Sequence, residues 1–416
     1  MKKKFSSGVV AGVMISMLVF TVFFSFYLKK VEQKEENNSG VVSGQQLDNT
    51  SNQSEPKSEL NKKVNYIKRL IDRYYMGEVT EEDYETWYLR SILYALDDPY
   101  SCYYTPQEYN ELMESSNGTY CGIGALVSQN VKTGVITIVK PFVNGPAYEA
   151  GMLPGDIIYK VEGKEVTGVD ISQVVSEMKG EKGTKVEVEV VREGEKSPLS
   201  LEITRDTVEV PTVEYKMLKD NIGYIYIMEF DEVTAKQFLD AVESLINQGM
   251  KGLVIDIRDN PGGLLETVVA MLDRILPEGL IVYTEDKNGQ REEKTSDKVE
   301  FNLPLAVLIN GNSASASEIF AGAIQDYEKG VIVGTQSFGK GIVQSVIPLY
   351  DGSAVKMTVA YYYTPKGRNI HGIGITPDVE IELAEELSKK VVISEEEDNQ
   401  LQKAVEIIKE KCKNNN

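Results

Sequence analysis

The chain has 416 residues, 42% of them apolar and 26% charged, and its 44 basic against 64 acidic side chains give a formal charge of −20. That length allows two or three domains with real cores and excludes wholesale disorder, while the acidic surplus excludes a nucleic-acid binder, which needs basic charge against phosphates. A single histidine, His371, excludes three-histidine zinc sites and paired imidazoles, and Cys102, Cys121 and Cys412 show no CxxC spacing. A Cys102–Cys121 bridge is open to the chain, but nothing else supports it. Neither a metal nor a nucleotide cofactor is expected.

In chain order, Lys2, Lys3 and Lys4 precede an uncharged run from Gly8 to Leu28, closed by Lys29 and Lys30. As a helix the run is about 31 Å long, the thickness of a bilayer's hydrocarbon. It ends in bulky Phe23-Phe24-Ser25-Phe26-Tyr27-Leu28 without a small-residue cleavage site, so residues 1–30 are predicted to be a cytoplasmic tip and an uncleaved anchor with the body outside. Gly8 and Gly12 form a GxxxG pair only at the edge of that span. Residues 31–60, rich in Ser, Asn, Gln, Glu and Lys, are predicted to be a solvated tether.

Over 61–115 the apolar positions Val64, Ile67, Leu70, Ile71 and Tyr74, then Trp87, Leu89, Ile92, Leu93 and Leu96, fall at helical spacing. Asp97-Asp98-Pro99-Tyr100-Ser101 breaks that run, and the segment is expected to be scaffolding. Residues 116–205 change period: Gly134–Val139, Asp156–Val161 and Lys185–Val191 read as short strands and Ile171–Met178 as a helix, making a small, mostly β module. From 206 to 390 strands and helices alternate. Strands are predicted at Gly223–Met228, Gly252–Arg258, Leu305–Ile309 and Gly330–Gly334. Helices are predicted at Ala235–Asn247, near Leu264–Ile275 and from about Ser315 to Tyr327. Such alternation predicts a mainly parallel core with its site at loops after strand C-terminal ends. The tail, 391–416, carries one helix whose Leu401, Val405 and Ile408 stripe predicts a docking face.

Three loops bear chemistry. After Leu305–Ile309 comes Asn310-Gly311-Asn312-Ser313-Ala314-Ser315-Ala316-Ser317-Glu318, small residues crowding a helix start, where free amides hold negative charge. Ser315-x-x-Glu318 is equally a capping box. Arg258-Asp259-Asn260-Pro261-Gly262-Gly263 is either a tight strand-to-helix turn or a backbone that approaches a ligand closely enough to supply oxyanion amides. Gly334-x4-Gly339-Lys340 copies most of a phosphate-binding loop, but Gly341 stands where magnesium needs a hydroxyl and a strand follows where a helix must open. Ser337-x-x-Lys340 matches a penicillin-binding pattern whose Lys-Thr-Gly partner, at 132–134, lies on the wrong side of it. Lys340 between glycines, with Gln344 four positions on, remains. A buried lysine of lowered basicity serves as base for a serine, and in a chain almost without histidine a Ser-Lys pair is the nucleophile chemistry left.

Taken together, Asn260-Pro-Gly-Gly263, Ser313-Ala-Ser-Ala-Ser-Glu318 and Phe338-Gly-Lys-Gly-x-Val-Gln344 resemble the signatures of carboxyl-terminal processing proteases, the tail-specific serine peptidases of family S41. The likeness extends to Asp97–Ser101 and to Gly372-x-Gly-x-x-Pro-Asp378, and covers roughly residues 60–390. The resemblance implies a multidomain α+β protein: membrane helix, helical segment, PDZ domain and a ClpP/crotonase-like α/β protease core. It implies Ser315 as nucleophile, Lys340 as general base, Gln344 as the residue orienting it, and the amides of Ala316 and of Gly262 or Gly263 as oxyanion hole.

The module at 116–205 is similar to a bacterial PDZ domain, with Tyr120-Cys121-Gly122-Ile123-Gly124 as its carboxylate-binding loop and Gly122, Ile123 and Gly124 holding a substrate's C-terminus. Lys179-Gly180 stands where many relatives carry Arg-Gly, which puts coupling of PDZ position to activity by that route in question. His371 is expected to be structural. The implied partners are proteins or peptides with free C-termini, the bacterial membrane and a second copy of the chain through terminal helices. The competing readings are a non-catalytic PDZ adaptor for peptide tails and a P-loop ATPase.

Overall fold

The computed structural model describes residues 56–387, 390 and 393–414, so the expected anchor at 1–30 and most of the expected tether lie outside the described residues. The chain divides into two compact units, one of residues 1–92 with 385–393 and one of 93–384 with 394–416.

The first unit carries helix α1 (Pro56–Tyr74) and most of α2 (Glu81–Tyr94). Helix α1 begins inside the stretch expected to be tether. Proline at a helix start loses no hydrogen bond, and Glu59 in the first turn suits the positive end of the helix dipole. Thr80 and Asp83 cap α2 reciprocally, Thr80 N donating to Asp83 Oδ2 at 2.8 Å and Asp83 N to Thr80 Oγ1 at 3.1 Å. Lys68 ties the helices together, its ammonium donating to Glu81 at 2.6 Å and lying 4.1 Å from the centre of the Tyr84 ring. Among the described residues no helix is long and apolar enough to cross a membrane.

The second unit opens with strand β1 (Cys102–Tyr104), helix α3 (Pro106–Asn117) and strand β2 (Thr119–Gly122). An antiparallel sheet follows, built from β3 (Ala125–Gln129), β4 (Ile136–Pro141), β5 (Ile157–Val161), β6 (Lys164–Glu165), β7 (Lys185–Val191) and β8 (Leu199–Thr204). Its order is β3-β4-β5-β7-β8, which leaves β3 at an edge. Alternation explains the strands: in β7 Val186, Val188 and Val190 are buried while Lys185, Val191 and the glutamates point outward. Helix α4 (Pro146–Glu149) is one turn, and α5 (Ile171–Met178) covers the sheet with Val174 and Met178. Strand β9 (Asp206–Glu209) returns to pair with β2.

The core sheet has the order β10-β11-β12-β15-β16-β19: β10 (Val213–Met217), β11 (Ile222–Ile227), β12 (Gly252–Asp256), β15 (Leu305–Ile309), β16 (Val331–Gly334) and β19 (Val379–Glu380). Every pairing is parallel except that of β10 with β11. Helices α6 (Thr234–Asn247), α7 (Leu265–Leu272) and α8 (Ala316–Asp326) pack on one face, through Phe238, Leu245, Val268, Met271 and Phe320. The terminal helix α9 (Asn399–Asn414) covers the other with Leu401, Ala404, Val405 and Ile408. Burial on both faces is why β12 and β15 are nearly unbroken apolar runs. Helix α9 lies so close that a Cβ at Gly252 would stand 2.4 Å from Ile408 Cγ2.

A second sheet was largely hidden from sequence: β1, β13 (Gly279–Asp286), β14 (Arg291–Ser296), β17 (Ile342–Pro348) and β18 (Ala354–Tyr363), all antiparallel around β18. The segment Asp97–Ser101, expected within a helical scaffold, belongs to this second unit because Asp98 and Ser101 bond to Thr358 of β18. The three cysteines are free. Among the described residues no group of three or more His, Cys, Asp and Glu is arranged around a metal-sized site.

Candidate active site

Strands β12, β15 and β16 are parallel neighbours, so the three sequence-identified loops leave the same edge of the sheet side by side. Their cross-links are specific. Ala314 N donates to the Asn260 carbonyl at 3.0 Å, and Phe338 N donates to the Ser313 carbonyl at 3.1 Å. The side chain of Asn260, fully buried, donates to the Ile227 carbonyl at 2.9 Å and accepts from Gly262 N at 2.8 Å.

Of the three serines in the Ser-Ala-Ser-Ala-Ser run, two are fixed in the interior. The Ser313 hydroxyl donates to the Ile257 carbonyl at 2.8 Å, and that of Ser317 to the Asn260 carbonyl at 2.9 Å. Ser315 is the one at the surface of the loop, just before α8, with φ 55° and ψ −114°. A non-glycine residue held in this sparsely populated region stores strain that the surroundings must over-determine, a hallmark of nucleophile turns. Gly262 presses against it: a Cβ there would lie 2.8 Å from Ser315 Cβ and 3.0 Å from Ala316 N, at a φ of 108°. The bridge between Phe230 and Gly263 uses the Gly262 carbonyl and the Leu264 amide, not the amide of Gly263.

Glu318 over-determines the turn. It is fully buried, and one carboxylate oxygen accepts from Ser315 N at 3.0 Å and from Lys340 N at 2.8 Å. The other accepts from the Ser337 hydroxyl at 2.6 Å and from Gly339 N at 2.7 Å. The Tyr362 hydroxyl then shares its proton between the carbonyls of Ser315, at 2.9 Å, and Lys340, at 2.8 Å. Two buried side chains thus clamp the backbones of Ser315 and Lys340 to each other from both sides. Sequence reading had Glu318 only as a helix cap and did not single out Tyr362. Ser337, engaged with Glu318 and Ile375 N, is structural, and the segment after Lys340 is the strand β17 instead of a nucleotide-binding helix.

Lys340 is half-buried, and its amine is held below the usual lysine value. Burial is the main cause and repulsion from Lys356 adds to it; Asp98 and Glu318 pull the other way without prevailing. Its amine donates to Gln344 Oε1 at 3.1 Å, and Gln344 Nε2 donates to the Tyr100 carbonyl at 2.6 Å, which fixes which end of the amide faces the lysine. The Tyr100 ring covers the amine at 4.6 Å. Asp98 holds this cover in place, accepting from Ser101 Oγ at 2.6 Å, Thr358 Oγ1 at 2.7 Å and Tyr100 N at 3.0 Å. The supposed scaffold residues 97–101 are therefore the wall of the lysine pocket. The Asp-Asp-Pro-Tyr-Ser motif was the signal for them, but nothing local in it points to Lys340.

A groove of about 1040 Å³ is lined by Asp98, Tyr100, Leu265, Ile342, Val343 and Tyr361 among others, and neither Ser315 nor Lys340 is part of its lining. His371 also borders it, with its ring 5.6 Å from that of Tyr361. In the antiparallel module, Gly122, Ile123 and Gly124 form the turn from β2 into β3. The Ile123 carbonyl accepts from Ala147 N at 2.7 Å and the Gly124 carbonyl from Phe142 N at 2.9 Å, which directs the loop's amides away from those contacts.

A strained serine at a strand-to-helix turn, on a parallel sheet joined to a PDZ-like module, defines a serine peptidase with a peptide-binding domain. Residues 221–381 match peptidase family S41 and residues 138–192 match the PDZ domain family. The chain belongs to peptidase family S41 and is a serine-type endopeptidase of the carboxy-terminal processing kind. It is 39% identical over 307 residues to a carboxy-terminal-processing protease of Bartonella bacilliformis, covering 71% of this chain and 68% of that one. It is 41% identical over 297 residues to the carboxy-terminal processing protease CtpA of Bacillus subtilis, covering 71% of this chain and 63% of that one. Among solved structures, a photosystem II D1 C-terminal processing protease shares 31% identity over 76% of this chain and 86% of its own, with a TM-score of 0.45.

Proposed function

We propose that the protein is a membrane-anchored endopeptidase that takes hold of protein C-termini with its PDZ domain and cleaves near them by a Ser-Lys mechanism. The observation that carries the mechanism is the double clamp: Ser315 and Lys340 share a Glu318 oxygen and the Tyr362 hydroxyl, and the lysine's basicity is lowered by burial. Ser315 Oγ attacks the scissile carbonyl carbon and passes its proton to the neutral Lys340 amine. The oxyanion that forms is held by the amides of Ala316 and of the Gly262-Gly263 pair. Because Gly262 N already donates to Asn260, Gly263 is the glycine we assign as donor. The carbon–nitrogen bond then breaks, the departing amine takes the proton back from Lys340, and the acyl group stays on Ser315. A water then gives a proton to the same amine and attacks the ester carbonyl; the bond to Ser315 Oγ breaks, Ser315 Oγ takes the proton back from Lys340, and the new carboxyl terminus is freed. Gln344 positions the lysine through a neutral acceptor, which adds no counter-charge to hold the amine protonated.

The PDZ assignment rests on the glycine turn Gly122-Ile123-Gly124 leading into an edge strand, the arrangement in which a peptide tail adds as a further strand and its carboxylate meets backbone amides. The anchor and the placement of the catalytic body outside a bacterial membrane rest on the uncharged run Gly8–Leu28. Pairing of two copies through terminal helices is supported by the exposed Tyr66, Ile67 and Leu70 of α1. Ser315→Ala and Lys340→Ala are each expected to abolish peptide cleavage while leaving the circular dichroism spectrum unchanged. Full activity in folded Lys340→Ala protein overturns the mechanism.

A further inference from the structure

Two apolar side chains stand exposed beside the catalytic loops. The segment from Ser337 to Lys340 wraps around the Glu318 carboxylate, to which the Ser337 hydroxyl and the amides of Gly339 and Lys340 all donate. Phe338 is the one member turned away. Its amide donates to the Ser313 carbonyl at 3.1 Å, and the residue is 55% exposed. The Gly372-x-Gly374 motif, which the acyl-transfer chemistry leaves unused, supplies a facing wall. Ser337 N donates to the Ile375 carbonyl at 3.1 Å and Gly372 N to the Gly339 carbonyl at 2.9 Å, so Phe338 and Ile373 lie opposite each other between those two bonds. Glycine permits this approach: a Cβ at Gly374 would stand 2.5 Å from the Ser337 oxygen, and one at Gly339 would stand 3.0 Å from Ile373 N. Ile373 is 66% exposed, yet its amide donates to the Ile370 carbonyl at 2.9 Å and its carbonyl accepts from Gln336 Nε2 at 2.6 Å. Scattered exposed apolar residues are ordinary, but these two are a facing pair on hydrogen-bonded backbones, tied to the nucleophile loop at Ser313.

We infer that Phe338 and Ile373 form the subsite for the substrate residue that follows the scissile bond, and that they select an apolar side chain there. This rests on the Ser-Lys reading above and deepens it by naming what the site selects in the departing tail. The strand order β12-β15-β16 puts the glycine loop on one side of the Ser315 loop and the Phe338 loop on the other. The scissile oxygen points toward the glycine side, where the oxyanion is held. Lys340 hands its proton to the departing amine, so the departing half of the substrate must leave on Lys340's side. That path crosses the loop on which Phe338 stands two residues before the lysine. An apolar side chain placed against the pair leaves water with it and is favoured; glycine has nothing to bury, and a charged side chain loses hydration without a partner. The backbone bonds hold both walls in place before the substrate arrives, so the contact needs no reordering of the loops.

The test uses the full chain. Internally quenched decapeptides ending in Ala-Ala carry Val-Leu, Val-Gly or Gly-Leu at their centre, and each cut is mapped by mass spectrometry. The ratio of kcat/KM for Val-Leu over Val-Gly reads selectivity after the cut, and that for Val-Leu over Gly-Leu reads selectivity before it. The unsubstituted protein is expected to prefer Val-Leu over Val-Gly about tenfold. Phe338→Ser and Ile373→Ser are each expected to erase that preference and Phe338→Leu to keep most of it, while the second ratio stays at its wild-type value in all three. Wild-type selectivity after the cut in both serine variants, or a loss confined to the second ratio, overturns the subsite and leaves the Ser-Lys reading intact. Ser315→Ala protein that cuts these peptides at the wild-type rate overturns the Ser-Lys reading and the subsite with it.

Discussion

Two basic side chains lie half-buried in the same unit, beyond the ends of β12 and β16 on either side of β15, and they have opposite fates. Arg258, just beyond β12, meets the buried carboxylates of Asp256, at 2.5 Å, and Asp398, at 2.7 Å, and donates to Gln400 at 2.9 Å as well. Burial works to discharge it, but the two carboxylates outweigh that and hold the guanidinium above its ordinary value. Lys340, just beyond β16, meets an amide oxygen, a carbonyl-anchored ring and a second lysine's field, and its charge is disfavoured. Depth is similar; the partner decides. A carboxylate at hydrogen-bond distance turns a buried cation into a fastener, here pinning the start of α9 to the sheet. A neutral acceptor in the same place leaves the amine without a counter-charge, which is what the proposed base requires.

Removing the fastener has the largest expected effect. Arg258→Met leaves Asp256 and Asp398 buried without their counter-charge, and the expected loss is about 3–5 kcal/mol of stability by urea denaturation. The cleavage rate per folded molecule should stay near wild type, since Arg258 touches neither the serine nor the lysine. If stability is unchanged, the ion pair is not what seats α9. A smaller effect is expected on making the base resemble the fastener. Gln344→Glu sets a carboxylate beside the Lys340 amine and raises its pKa. The rising limb of kcat/KM against pH should move upward by about one unit, with a loss of about tenfold at pH 7 that is recovered in alkaline buffer. An unmoved limb with a normal rate would show that the neutral acceptor is immaterial.

The same contrast of local and distant causes separates what was legible in sequence from what was not. Strands β12 and β15 were readable because both faces are buried and their apolar runs are continuous, and α5 and β7 were read to the residue from their periodicity. Ser315, Lys340 and Gln344 were nameable because each stands in a short motif. Strand β14 was not, since Arg-Glu-Glu-Lys-Thr-Ser carries no apolar alternation and pairs at the margin of its sheet. Tyr362 lies in a run of three tyrosines, and only strand parity selects the one that points inward. Tyr100 reaches Gln344 across 244 residues of sequence, a contact no local pattern encodes. Glu318 had a sufficient local explanation as a helix cap, which concealed its bond to Lys340 N.

The central claim is that Lys340 is a neutral amine when Ser315 attacks the scissile carbonyl. It is tested by following the Lys340 side chain by NMR in protein labelled at lysine Cε, with Lys340→Arg to assign the signal, alongside kcat/KM for a peptide substrate across pH. The amine should titrate below the ordinary 10.5, and the rate should climb with rising pH through that same midpoint. A Lys340 signal that titrates at or above 10.5, in an enzyme that cleaves fully at neutral pH, would contradict the account.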